Sequence, residues 1–336
     1  MDPCTRERVI YHPRHRQENG RGFTILELLV ASAVLGLILV MLFSVISHTS
    51  EAWRRSRGHI EAFQSARNAF EIVTRTLSQA TLNTHWHYDN ATNPTRYLRA
   101  SDLHFTIQQA GTSIPGTPGT GFGVFFQAPI GIAASDDLRG LNTLLNGMGY
   151  YIQFSGDGSF RPSIVNGEEK RRYRLVQMRI PSENLNVYTA TNATDYTWFT
   201  SQTKRGYPVS DNIILLVVWP RLPFQEDPEG GVLSLNFTYN SRLNASNVSQ
   251  PRTASQLPPV VEVLMVAIDE ASAVRLTHST AEPPAIKSAL QGKFQTASQS
   301  AFGEDLKQLE SALTDAKINY QIFHSAIPMR ESKWSE

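Results

Sequence analysis

The sequence predicts an α+β fold, with a long N-terminal helix packed on an antiparallel β-sheet domain. Three observations predict it. From Phe23 to Ile46 the chain is apolar, with Glu27 its only charge. From Ser47 to about Asn83 apolar residues recur at helical spacing, with no proline and with Gly58 the single glycine. Beyond Asn83 come β-branched and aromatic runs divided by stretches rich in Gly, Pro, Ser, Thr and Asn. A helix followed by strands is the α+β order.

The first 22 residues form a polar leader carrying Arg6, Arg8, Arg14, Arg16 and Arg21. The next 24, residues 23–46, are enough to span a bilayer as a helix. A carboxylate in such a segment costs about 2.5–3.5 kcal/mol near its centre and less near an end, so Glu27 signals a partner. The combination of basic leader, Gly22, Phe23 and a carboxylate five residues into an apolar helix resembles the class III signal of type IV prepilins and pseudopilins. That resemblance implies a membrane peptidase that cuts after Gly22 and methylates the new amine of Phe23. Glu27 would then neutralise the amine of a neighbouring subunit, favouring stacked helices over a lone one. The plainer reading is that Glu27 snorkels to the interface.

Two other N-terminal readings exist. Ala31-Ser32-Ala33 looks like a signal-peptidase site, but cutting there would leave the greasy terminus Val34–Phe43. A plain signal anchor is the second. The positive-inside count favours a cytoplasmic leader modestly, because Arg54, Arg55 and Arg57 flank the far side.

Residues 47–83 read as an amphipathic continuation of the helix. Trp53, Ile60, Phe63, Phe70, Val73 and Leu77 form its apolar stripe, the face expected to pack on the sheet. Glu51 with Arg55 and Glu71 with Arg75 are i,i+4 pairs. Residues 84–336 form the exported, β-rich globular domain. Its strand candidates are Gly123–Gln127, Tyr150–Phe154, Tyr173–Met178 and Leu233–Tyr239. Asn212–Trp219 and Val260–Ile268 are the most apolar and are expected at the centre. Glu304–Lys317 is a short amphipathic helix, followed by a closing strand at Asn319–Phe323. Ala110–Gly121 and Asn240–Gln256 are surface loops.

The chain has 336 residues, 41% of them hydrophobic and 18% charged, with a formal net charge of +1. The balance leaves no electrostatic footprint for nucleic acid. Its single cysteine, Cys4, lies in the leader. A chain processed at Gly22 would therefore hold no disulfide, thiolate metal site or cysteine nucleophile.

Further resemblance lies beyond the leader. Arg67–Ala80, with its Arg-Asn-Ala-Phe-Glu and Arg-Thr-Leu-Ser-Gln-Ala pattern, is similar to the helix exit of J-type minor pseudopilins of type II secretion. Leu77–Thr84, Ser101–Phe105, Phe125–Pro129 and Leu144–Asn146 followed by Gly149–Tyr151 look like the C protein of the Verrucomicrobia Verru_Chthon cassette. That resemblance covers nearly the whole chain. It implies a prepilin-type signal and a multi-subunit assembly, and no established substrate.

Candidate chemistry is sparse. His85 and His87 could share one strand face as metal ligands, but no third ligand lies near in sequence, and polar loop residues are the simpler reading. Asp136-Asp137 and Gly156-Asp157-Gly158 lack the spaced oxygens of a calcium loop, and Asp157-Gly158 reads as a turn between strands. Glu168-Glu169-Lys170-Arg171-Arg172 reads as a solvated turn. There is no Gly-x-Ser-x-Gly elbow, phosphate loop or dinucleotide fingerprint. Asn-x-Ser/Thr sequons at Asn90, Asn192, Asn236, Asn244 and Asn247 would matter in a eukaryotic secretory route alone.

The expected protein is a structural subunit of a pseudopilus or pilus-like fibre, not an enzyme, with no cofactor and no metal. Its partners would be the prepilin peptidase/methyltransferase, other pilin-like subunits and their assembly machinery. It would cross the inner membrane once, with the N-terminus cytoplasmic before cleavage and the C-terminal domain exported. Two alternatives are a DNA-binding minor pilin of an uptake system, which would want a basic, aromatic-studded surface, and a signal-anchored exported enzyme or sensor.

Overall fold

The computed structural model describes residues 24–334 apart from 110–120, 159, 163, 165–166, 190–191, 203–205, 244–250 and 278–280; at 51–52 and 54–62 it describes backbone alone. Two compact units divide between Arg54 and Arg55. The first holds the upper part of helix α1 (Ile25–Leu77). Its apolar segment is solvent-facing throughout: every residue from Ile25 to Ser50 is exposed.

The second unit, from Arg55, begins with the lower part of α1 and contains two antiparallel sheets and a hairpin, an α+β architecture as expected. The hairpin pairs β1 (His85–Tyr88) with β2 (Tyr97–Ala100). The larger sheet is built from β3 (Thr106–Gln109), β4 (Phe122–Pro129), β5 (Leu145–Ser155), β6 (Arg172–Ile180), β7 (Gly206–Asp211) and β9 (Tyr239–Asn240). They run in the order β7-β6-β5-β4-β3-β9. The smaller sheet is β11-β10-β8, from β8 (Ile213–Arg221), β10 (Val260–Ile268) and β11 (Tyr320–Pro328). Helices α2 (Thr197–Thr200), α3 (Glu270–Leu276), α4 (Pro284–Leu290) and α5 (Gln299–Asp315) fill the connections.

The strand expectations at Gly123–Gln127, Tyr150–Phe154, Tyr173–Met178 and Val260–Ile268 hold, because their apolar runs are buried on both faces. β10 is central in its sheet, whereas β8 is a hydrogen-bonding edge. All nine β8 residues are nonetheless buried, because the strand packs against β4, β5 and β6 of the other sheet. Asn212, expected inside that strand, instead adopts a left-handed conformation (φ 63°) at the crossing between sheets. Its N–H donates to Tyr173 O and its carbonyl accepts from Ile268 N, which ties the two sheets at one residue.

Leu233–Tyr239 is not a strand, although its alternation suggests one. Phe237 has φ 64°, Ser234 Oγ accepts from Asn236 N, and Asn236 Oδ1 accepts from Thr238 N. Short polar side chains here satisfy the backbone that a ladder would have used. Only Tyr239–Asn240 joins the sheet. Leu233 and Phe237 are still buried, so the apolar period reports packing and not strand geometry.

The stripe on lower α1 also moves. Val73 and Leu77 are fully buried, Phe63 and Phe70 are half-buried against the core, and Trp53 is 70% exposed. The side chain of Ile60 lies outside the described residues. Ala66, Ala69, Val73 and Leu77 are the buried line. Phe70 meets Phe323 of β11 at 5.8 Å between ring centres. Glu71 pairs with Arg67 at 3.3 Å on the exposed face rather than with Arg75. The Glu51–Arg55 pair lies outside the described residues.

The core is aromatic. Phe125 and Phe199 stack at 3.9 Å, and Trp219 meets Phe237 and Phe302 at 5.3 and 5.2 Å. Gly149 is required there, since a Cβ would lie 2.5 Å from the Phe125 ring. Phe302, Leu309 and Leu313 are the buried face of α5, and its N-cap Ser298 accepts from Ala301 N.

One buried polar group has a measurable consequence. His104 has no exposed surface. Its Nδ1 accepts from Trp198 Nε1 at 3.2 Å and its Nε2–H faces Asn240 Oδ1 at 2.9 Å, an arrangement that requires the neutral ring. Burial, reinforced by the charge of Arg242, depresses its pKa from 6.5 to about 3. The unfolded chain therefore takes up this proton first. Stability is intact above about pH 6.5 and falls on acidification toward pH 3, by about 1.4 kcal/mol per pH unit from this residue. Denaturant unfolding followed by tryptophan fluorescence between pH 4 and 7 should show that slope, and His104→Gln should reduce it by one proton.

Candidate processing and assembly site

Gly22 and Phe23 lie outside the described residues, and the described part of the site starts at Thr24. α1 begins at Ile25 with Thr24 as the residue that caps it. Glu27 Oε2 accepts from Thr24 N at 2.9 Å and Thr24 Oγ1 at 3.1 Å, and Thr24 Oγ1 accepts from Glu27 N at 3.3 Å. This is the reciprocal capping box of a Thr-x-x-Glu sequence. The first-turn N–H groups of a helix have no partner within the helix, and in hydrocarbon each such group costs several kcal/mol. Thr24 and Glu27 supply partners from the chain itself.

The sequence alone assigns Glu27 to a neighbour's amine and misses its bond to Thr24, although the Thr24-Ile25-Leu26-Glu27 spacing carries the signal. The two roles are compatible. Capping uses Oε2, and Oε1 has no partner among the described residues. Behind the cap, Ile25–Ser50 is a 26-residue apolar helix, about 39 Å long at 1.5 Å per residue. That exceeds the roughly 30 Å hydrocarbon core of a bilayer.

Residues 19–43 match the prokaryotic N-terminal methylation motif. The motif thus covers Gly22, Phe23, the Thr24–Glu27 cap and most of the apolar helix. Among solved structures the chain is similar to a type IV-like pilin from Thermus thermophilus, at 11% identity and a TM-score of 0.29, over 80% of this chain and 97% of that one. A search of curated proteins returns no match.

The other candidates all belong to the second compact unit. His85 and His87 are exposed on β1, their Nδ1 atoms against Asn83 O and Tyr88 O. Among the described residues no group of three or more His, Cys, Asp or Glu could hold a metal. Asp136 pairs with Arg139 at 2.8 Å, and Ser135 caps the short turn that holds Asp136 and Asp137. Asp157 anchors the turn between β5 and β6, taking Arg161 at 2.7 Å and Lys170 N at 2.9 Å; the bonds from Arg161 hold its carboxyl below the usual carboxylate range.

The charge run at 168–172 is only partly a solvated turn. Arg172 is buried and pairs with Glu270 at 2.9 Å. Its neighbour on the same strand face, Arg174, is buried on Asp211 at 2.9 Å. They tie β6 to the first residue of α3 and the last residue of β7 respectively, a structural use that sequence spacing could not reveal.

Proposed function

We propose that this chain is a type IV pilin-like structural subunit. It is cut after Gly22, methylated at Phe23, and assembled with other pilin-like subunits into a pseudopilus or pilus-like fibre. Before cleavage the N-terminus is cytoplasmic, the apolar helix crosses the inner membrane once, and the β-rich domain is exported. One observation carries the reading: a methylation motif at residues 19–43 takes in most of an exposed 26-residue apolar helix. The resemblance to the Verru_Chthon cassette C protein, which covers nearly the whole chain and is carried by motifs between residues 77 and 151, is the finer form of the same proposal. N-terminal mass spectrometry of membrane-extracted protein tests it. The expected mature start is N-methylated Phe23; a start at Met1 or after Ala33 overturns it.

Glu27 separates capping from charge. Glu27→Gln keeps an N3 side chain able to accept from Thr24 N but removes the negative charge, whereas Glu27→Val removes both. Both variants should insert and be cleaved, since an apolar segment without a charge inserts at least as well. If the carboxylate neutralises a neighbour's amine, both fail to enter sheared fibres. Normal fibre entry by Glu27→Gln would leave capping as the whole role of this residue.

A further inference from the structure

β7, β9, β8 and β11 form the outer edges of the two sheets, and three of them are guarded. β9 has two residues. β7 carries Pro208, and its register shifts between Leu175 and Val176 of β6. β8 packs against the larger sheet and contains Pro220, and Gly121 lies so close that a Cβ would sit 2.2 Å from Leu216 O. A short strand, a proline, a bulge or a cover is an ordinary means of keeping an edge from pairing with another chain. β11 lacks all of these. It runs nine residues in unbroken register with β10, holds no Lys, Arg, Asp or Glu, and places its proline last. Its free backbone groups follow from the ladder. Asp269 N donates to Asn319 O, and Met329 N donates to Pro259 O. Alternation between those points turns the odd-numbered residues of β11 toward β10, so Tyr320, Ile322, His324 and Ala326 present N–H and C=O outward. Among the described residues these groups meet only the Gln321 side chain, whose Nε2 donates to Ile322 O at 3.3 Å.

We propose that β11 pairs antiparallel with β11 of a second copy of this chain, joining two three-stranded sheets into one. The strand is its own complement. With Phe323 opposite Phe323 of the other copy, Tyr320 faces Ala326 and Ile322 faces His324. Each outward residue then meets an outward residue and exchanges both backbone bonds, and no like charges stand opposite each other. A shift of register one way sets His324 against itself and brings Pro328, which has no N–H, into the ladder. A shift the other way sets Ala326 against Ile318, whose N–H is already given to Leu313 O at 2.9 Å. A two-fold contact also closes. It consumes both β11 edges and leaves the guarded β8 and its copy at the outside of the joined sheet. A strand from an unlike protein would bring a new edge of its own. The pairing belongs to the second compact unit and does not depend on processing at Gly22.

Sedimentation of the full chain in density-matched neutral detergent should find two copies per particle. Ala326→Pro blocks the outward edge and spares the bonds to β10, so it should give one copy per particle with the thermal midpoint of the parent chain. Disulfides read the register. In a Cys4→Ser chain, Gln321→Cys together with Ser325→Cys should give a disulfide-linked dimer on mild oxidation, bridged 321 to 325 in peptide mass spectra. The non-hydrogen-bonded pair brings those Cα atoms to about 4.5 Å, within disulfide reach. Ser325→Cys alone should give none, because the two copies of residue 325 stand about 14 Å apart at about 3.4 Å per residue. A single-copy particle would leave the edge to a strand from a different protein and overturns the proposal. Two copies per particle in a folded Ala326→Pro chain would place the contact on the apolar helix and overturn it equally. If Ala326→Pro does not fold, the cysteine pair decides, and absence of the 321–325 bridge overturns the proposal.

Discussion

A Gly22→Glu chain should remain at precursor size, keeping all 22 leader residues, while the parent chain loses them. The residue before the cut must enter the peptidase site beside the scissile bond. Glycine brings no side chain there, and a glutamate brings a charge that must be stripped of water without a designed partner. The resulting penalty is about 3 kcal/mol or more, enough to slow cutting by about a hundredfold. The gel mobility of the membrane-bound product measures it. Glu27→Val is the control, because its change lies beyond the cut and leaves Gly22 intact. Unaltered processing of Gly22→Glu would remove the class III assignment, whatever the fibre does.

What was legible in the sequence was what burial on both faces or sustained helical period writes there. β4, β5, β6 and β10 are apolar runs long enough to be read, and α5 shows its face through Leu309 and Leu313. β1 was not legible, because all four of its residues are exposed and no alternation marks them. β7 hid behind Pro208, which an edge strand tolerates. The stripe on α1 was misplaced toward aromatics because Ala66 and Ala69 carry little apolar weight. Their burial is set by what the helix packs against, a tertiary fact.

The candidate processing segment is read from its residue types, and the structure adds the local geometry at Thr24 and Glu27. The pairs Arg172–Glu270 and Arg174–Asp211 are separated by 98 and 37 residues. No local spacing rule reaches that far. The same holds for His104, whose neutral state is set by Trp198 and Asn240, both distant in sequence.

Truncation should separate the two parts of α1 by their effect on folding. A chain beginning at Arg55, where the second compact unit starts, is expected to be soluble and to unfold cooperatively. It keeps the whole buried line of the helix and loses the exposed apolar segment. A chain beginning at Thr84 loses Ala66, Ala69, Val73, Leu77, Ala80 and Leu82, each no more than 8% exposed. It also loses the Phe70–Phe323 ring contact and the bridge of Thr81 to Gln127 on β4. At about 1.5–3 kcal/mol for each large side chain and less for each alanine, the removed burial is on the order of 10 kcal/mol. That is comparable to the whole stability of a domain, about 5–15 kcal/mol, and the partner surfaces left bare on the sheets become sites of association. The shorter chain should therefore aggregate or lose its cooperative transition, which light scattering and thermal unfolding followed by fluorescence will report. Equal solubility and an equal midpoint for the two chains would mean that the lower helix rests on the sheets without holding them, and a helix-on-sheet core would be the wrong account of this fold.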